Sequence, residues 1–283
     1  MRFAKLHGLG NDFLVVSPAG PADLAAAAGL ARRMCDRHTG VGADGLIFLD
    51  PEAGPPARSG FRIFNADGSE AEISGNGLRC AAAFLASAGP GAPSEVLFRT
   101  AAGERGSEIV SSRGRLFEVA IDLGVPALAS EDIPFDDGRR HDRVVDILLP
   151  VGTDARRVTC VSMGNPHCSL FFDDLPPRDE WRRIGREIES HPFFPDRTNV
   201  EFVRVGDRGE IEARFWERGV GETRASGTGS AAAAVAAMLK GLVDRAVTVR
   251  TAGGSLRVEW PEGGRVRQTG PAELVFSGDY PSD

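Results

Sequence analysis

Two short stretches carry the most readable chemistry of the chain. Ser74-Gly75-Asn76-Gly77 leads into Leu78-Arg79-Cys80-Ala81-Ala82-Ala83-Phe84-Leu85, and Ser226-Gly227-Thr228-Gly229 leads into Ser230-Ala231-Ala232-Ala233-Ala234-Val235. Each is a Ser-Gly-x-Gly turn running into an alanine-rich helix. Glycine lets a backbone come close to a ligand. The first turn of a helix offers free N–H groups at the positive end of its dipole, which suits a carboxylate or a phosphate. Alanine further along lets the helix be enclosed tightly by other elements. Two such sites suggest one anionic ligand served by two similar halves.

The repeat is wider than these turns. Arg99-Thr100-Ala101-Ala102-Gly103 returns as Arg250-Thr251-Ala252-Gly253-Gly254, and Gly10-Asn11-Asp12 returns loosely as Gly164-Asn165-Pro166. With Ser74 and Ser226, all three pairs keep their order at offsets between 151 and 154 positions. Glycine turns recur by chance in a chain with 35 glycines, but not in order at nearly one offset. The pattern predicts a duplicated domain.

Size and composition agree. A chain of 283 residues fits two ordinary units. Hydrophobic residues at 42% and charged residues at 26% are those of a soluble globular protein. The net charge of −7 argues against a general nucleic-acid surface. No apolar run approaches the roughly 18 residues of a membrane span. Met1-Arg2-Phe3-Ala4-Lys5 enters a strand-like pattern rather than a secretory leader. Cysteines at 35, 80, 160 and 168 form no CxxC pair and read as reduced thiols, so a cytoplasmic location is expected. The 5 scattered histidines show no metal-ligand spacing, and no metal is expected. The glycine turns lack the strand–helix–strand setting and the later acidic residue of a dinucleotide site.

Periodicity places the elements that must position these turns. Strands are expected at 3–7, 13–16, 46–49, 61–64, 96–100, 107–111 and 115–123, with turns at Gly103, Gly106 and Gly114. The second half predicts strands at 144–149, 157–163, 170–172, 200–205, 210–216, 247–251, 256–260 and 273–276. Helices are expected over Asp23–Arg37, after each glycine turn, and over Arg178–Ser190, where Trp181, Ile184 and Ile188 share a face. Gly241 would stop the last helix. Residues 52–60, rich in Pro, Gly and Ala, predict an exposed loop, and Gly124-Val125-Pro126 a junction. The fold class is α+β.

At this level of detail the chain resembles the diaminopimelate epimerase family. The matching pieces are Gly10-Asn11-Asp12-Phe13, Gly42-Ala43-Asp44-Gly45, Asn65-Ala66-Asp67-Gly68-Ser69, Gly75-Asn76-Gly77-Leu78-Arg79-Cys80, Met163-Gly164-Asn165-Pro166-His167-Cys168, Glu217-Arg218-Gly219-Val220-Gly221-Glu222-Thr223, Gly227-Thr228-Gly229 and Gly270-Pro271-Ala272. They span almost the whole chain in order. The resemblance implies two pseudo-symmetric domains, each a mostly antiparallel strand barrel wrapped around a central α-helix, facing across a cleft. The boundaries drawn are 1–124 with about 268–283, and 125–267. It also implies a cofactor-independent epimerase that interconverts LL- and meso-diaminopimelate by two-base α-proton transfer, in lysine and peptidoglycan precursor synthesis. The expected partner is that small molecule, with neither nucleic acid nor membrane, and a homodimer would suit the family.

One departure matters more than the matches. The family carries a cysteine immediately before each glycine turn, one to remove the α-proton and one to return a proton on the other face. Here both positions are serine, Ser74 and Ser226. A thiol with a reference pKa of about 8.5 drops further at a helix N-terminus, whereas a hydroxyl needs an adjacent base. The Ser/Ser form is therefore expected to be strongly impaired. The nearly isosteric exchange at both positions favours an engineered, substrate-trapping variant over a repurposed natural relative. A non-catalytic amino-acid-binding paralogue and a racemase of another amino acid are the alternatives.

The resemblance also assigns the remaining residues. His167 and Glu217 fall near the proton-transfer pair, where one could assist each serine. Asn11, Asn65, Asn165 and Asn199 match positions that contact the ligand's amino and carboxylate groups, although singly each would read as a turn asparagine. Glu217-Arg218 would hold the distal head group. Gly75-Asn76 and Gly227-Thr228 would donate backbone N–H groups to the reacting carboxylate. The Asp44 loop reads as structural, and Cys80 and Cys168 as small buried residues rather than bases.

Overall fold

The computed structural model describes residues 1–18 and 23–281. The chain divides into two compact units, Met1–Asp122 with Thr269–Asp283, and Leu123–Gln268.

In the first unit, β1 (Arg2–Gly8) and β2 (Asn11–Val16) form an antiparallel hairpin. Its turn residues Leu9 and Gly10 both have positive φ, 57° and 84°, the twist that suits a two-residue hairpin. Asp23 caps α1 (Leu24–Cys35) by accepting from the Ala26 N–H. That helix packs Ala27, Leu30, Ala31 and Met34 against Leu14, Leu46, Phe48 and Phe64. β3 (Gly45–Glu52) runs parallel to β2 and antiparallel to β4 (Arg58–Asn65). The Glu52↔Arg58 pair shortens the loop expected over 52–60, because the ladder continues past the proline-rich tip. The short β5 (Glu70–Ala71) precedes α2 (Gly75–Ala86). β6 (Glu95–Thr100), β7 (Gly103–Arg113) and β8 (Leu116–Gly124) follow as a meander. Gly106 lies inside β7 opposite Leu97 rather than in a turn. α2 is enclosed by β1, β2, β3, β6 and β7.

The second unit repeats this plan. β9 (Val144–Val151) pairs with β10 (Asp154–Ser162), and β10 with β11 (Pro166–Phe172). α3 (Arg178–Glu189) buries Trp181, Ile184 and Ile188 against Phe202 and Trp216. Fully burying each such apolar side chain is worth roughly 1.5–3 kcal/mol. β12 (Asn199–Asp207) runs parallel to β11, and β13 (Glu210–Glu217) and β14 (Gly221–Thr223) follow antiparallel. α4 (Gly227–Leu239) is enclosed by β10, β11, β12, β13, β15 (Ala246–Thr251) and β16 (Gly254–Glu259). Gly241, just past the Lys240 cap, has φ 69° and ends the helix as expected. The last strand, β17 (Val266–Asp279), is longer than its apolar stretch suggested and pairs antiparallel with β1.

Each unit is thus a strand barrel around a buried helix, with the ladders mostly antiparallel and a parallel pair on each side of the glycine turn. The registers repeat. Phe13↔Gly45 in the first unit corresponds to His167↔Asn199 in the second, and Arg58↔Leu97 to Glu210↔Thr248.

Candidate active site

Both glycine turns fold the same way. Ser74 caps α2 with φ −139° and ψ 120°, and Ser226 caps α4 with φ −128° and ψ 127°. Each hydroxyl accepts from the third residue on, Gly77 N–H at 3.0 Å and Gly229 N–H at 3.2 Å. The glycine at that third position leaves little room for a side chain. A Cβ on Gly229 would sit 2.9 Å from the Phe215 ring and from the Ser226 side chain, and one on Gly77 would meet Ser74 at 3.1 Å and Ile63 at 3.2 Å. Gly75 and Asn76, and Gly227 and Thr228, therefore lie in the first turns of helices whose N-termini are free of acidic residues.

Around Ser226 the second unit assembles an acid–base group. The Ser226 hydroxyl donates to Glu217 Oε2 at 3.2 Å, and Thr223 donates to Glu217 Oε1. Glu217 is half-buried. Burial pushes the Glu217 pKa above the ordinary carboxylate range. The Thr223 and Ser226 hydrogen bonds and the nearby His167 pull against that rise, while Glu201 adds to it. Glu217 thus holds both Thr223 and Ser226. His167 is fully buried, with Nδ1 2.6 Å from Glu201 Oε1 and Nε2 2.9 Å from Asn165 Oδ1. Asn199 donates to the Pro166 carbonyl and accepts from the Arg218 N–H, both at 2.9 Å. It fixes the turn before His167 to the backbone of Arg218, whose guanidinium donates to the Asp196 carbonyl. Gln268 donates to the Gly227 carbonyl at 2.7 Å.

The first unit is built differently at matching places. Asn65 occupies the position of Glu217, and Phe13 that of His167. Among the described residues, the one side-chain hydrogen bond of Ser74 is its cap to Gly77. Asn76 donates to Asn11 Oδ1 at 3.0 Å and accepts from Arg79, which is buried and also donates to the Pro271 carbonyl. Burial of that guanidinium lowers its pKa to about 10. Asn11 donates onward to Asp44 at 2.8 Å. Asp44 also takes the Asp12 N–H and Arg37, which makes it structural. Burial would raise Asp12, but Arg37 and Lys5 outweigh it and hold its pKa at about 2. Asn65 donates to Ser69 at 2.9 Å, closing its own turn.

All four cysteines are buried and form no disulfide with one another. Burial pushes the thiols of Cys35 and Cys80 up to about 12 and that of Cys168 upward as well. These are neutral thiols and cannot stand in for the missing pair. Sequence reasoning missed Thr223, Glu201, Ser169 and Arg79. The two-residue spacing of Asn199 and Glu201, and of His167 and Ser169, places each pair on one strand face and was the available signal.

Among the described residues, no group of acidic, histidine or cysteine side chains could hold a metal ion, and no helix is long and apolar enough to cross a membrane. Strand barrels around capped helices are the fold that this chain shares with solved epimerases and racemases. The chain superposes on a hydroxyproline epimerase from Agrobacterium vitis with a TM-score of 0.69, at 16% identity, over 98% of this chain and 90% of that one. At that identity the likeness speaks for the fold. The sequence profile described as diaminopimelate epimerase matches residues 3–128 and 159–275. The diaminopimelate epimerase of Pelotomaculum thermopropionicum is 47% identical over 99% of both chains, and that of Moorella thermoacetica 46% identical over 100% of both. The chain belongs to the diaminopimelate epimerase family, a family of isomerases.

Proposed function

We propose that the protein is built for epimerisation of diaminopimelate, interconverting the LL and meso forms by removing the α-proton on one face and returning a proton on the other. The observation that carries this reading is the full-length relationship to diaminopimelate epimerases at 47% identity; the two capped helix N-termini, where the resemblance puts the proton-transfer pair, support it. In this reading Gly75, Asn76, Gly227 and Thr228 bind the α-carboxylate, whose charge grows as the carbanion forms. Asn11, Asn65, Asn165, Asn199 and Arg218 orient the substrate's amino and carboxylate groups. Glu217 serves Ser226 as the adjacent base that a hydroxyl needs, with His167 beside it. Among the described residues of its own unit Ser74 has no such partner, so proton transfer at its position is the weaker half of the reaction.

The double serine favours a second reading, a protein that binds the amino acid and turns it over slowly or not at all. Incubation with LL-diaminopimelate in heavy water separates the two. Deuterium at the α-carbon with a changing LL-to-meso ratio supports the epimerase. Binding without exchange supports the binder. Neither binding nor exchange would remove the assignment of substrate.

A further inference from the structure

Four polar side chains form a block inside the second barrel. His167 and Ser169 on β11 lie beside Asn199 and Glu201 on β12, in the parallel register His167↔Asn199 and Ser169↔Glu201. His167 and Ser169 are 0% exposed, Glu201 1% and Asn199 5%. The first barrel has the same parallel pair in the same register, Phe13↔Gly45 and Val15↔Ile47, with no ionisable group at any of the four places. The fold therefore does not require the polar block. Burying a carboxylate is costly unless its partners satisfy it, and apolar residues usually serve a core as well or better.

The hydrogen bonds say what the block does. Ser169 donates its hydroxyl to Glu201 Oε2 at 3.1 Å, and Glu201 Oε1 lies 2.6 Å from His167 Nδ1. With both carboxylate oxygens accepting, the proton between Glu201 and the ring belongs to Nδ1. Nε2 then carries a lone pair toward Asn165, 2.9 Å from its Oδ1, so this tautomer needs that amide turned to offer its Nδ2–H to the ring; Asn165 sits in the turn that also carries Pro166, held by Asn199.

We propose that Glu201, clamped by Ser169, is a positioning residue that keeps the proton of His167 on Nδ1 and fixes the ring so that Nε2 is presented on the Asn165 side. This rests on the assignment of His167 to the proton-transfer group. A carboxylate behind an imidazole sets its tautomer and orientation, and the wrong tautomer disables the ring.

The test is 15N NMR of the protein labelled at histidine, with His167 assigned by comparison with His167→Phe. The parent should show Nδ1 bearing a proton, with a low-field, slowly exchanging N–H signal. Glu201→Gln should lose that signature or split it between two tautomers. Glu201→Ile with Ser169→Val copies the first barrel at these places, so it should stay folded and lose the signature entirely. In the background carrying Ser74→Cys and Ser226→Cys, Glu201→Gln should lower kcat for diaminopimelate by about 10²-fold with little change in KM. Glu201→Asp should recover part of that loss. An unchanged Nδ1–H signal in both folded Glu201 variants overturns the proposal. A kcat loss no larger than the loss of folded protein does so too. If the cysteine background is inactive while the nitrogen signature behaves as expected, the function reading fails and the positioning role stands.

Discussion

The hydroxyl of Ser226 donates to Oε2 of Glu217 across 3.2 Å, while the same oxygen caps α4 by accepting from Gly229. One atom is thus tied both to the helix N-terminus and to a carboxyl whose pKa burial raises. Ser74 shares the cap and lacks the carboxyl, because Asn65 stands where Glu217 stands in the other unit.

Restoring thiols should restore turnover. Ser74→Cys with Ser226→Cys is expected to raise epimerase activity by several orders of magnitude, and either single change by much less, since removal and return of the proton act as a unit. A single cysteine should still exchange the α-hydrogen of one stereoisomer. The measurement is α-deuterium uptake alongside the LL-to-meso ratio for the four combinations. Full activity in the parent would show that hydroxyls suffice.

Ligand should bind whether or not it reacts. Diaminopimelate at about 100 times its Kd should stabilise the fold by about 2.7 kcal/mol, read as a rise in Tm. An unchanged Tm in the parent, beside a rise in the double-cysteine variant, would mean that the serines damage the pocket itself.

Glu217 predicts a pH signature. Its raised pKa means that the fold favours the neutral carboxyl. The residue therefore costs nothing below the ordinary carboxylate range and destabilises increasingly as pH rises through that range to its raised value. Glu217→Gln removes that cost. Its stability relative to the parent should climb as pH rises above the ordinary carboxylate range and level off once Glu217 is fully ionised in the fold. Urea denaturation across that range measures it, and a flat difference would refute the burial of a titrating carboxyl.

Gly229 in α4 and Gly241 just past its C-cap should respond differently to alanine. Gly229→Ala places a methyl group 2.9 Å from Phe215 and Ser226. That should cost about 1–3 kcal/mol from overpacking, with up to about 1 kcal/mol more if the cap is lost. Gly241→Ala meets nothing within 4 Å but has φ 69°, so it should cost about 1 kcal/mol from the left-handed backbone alone. Only Gly229→Ala should also weaken ligand binding. Equal losses of stability with equal binding would contradict the packing argument.

The features that the sequence settled alone are local ones. The helices after Ser74 and Ser226 start where the glycine turns put them because a helix start depends on residues a few positions apart in the chain, and Gly241 ends α4 because the need for positive φ is met by one residue. The duplication was legible for the same reason, since each copy keeps its own turns at nearly one offset. The loop over 52–60 and the full length of β17 were misjudged because a ladder extends wherever a neighbouring strand supplies partners, which a run of residues read singly does not reveal. The pairing of Glu217 with Ser226 and Thr223, and of His167 with Glu201 and Ser169, was decided only by tertiary structure. The parallel registers bring together residues some 30 positions apart, as between His167 and Glu201. Burial then raises the pKa of Glu217, through a desolvation that exists only once the barrel has closed around it.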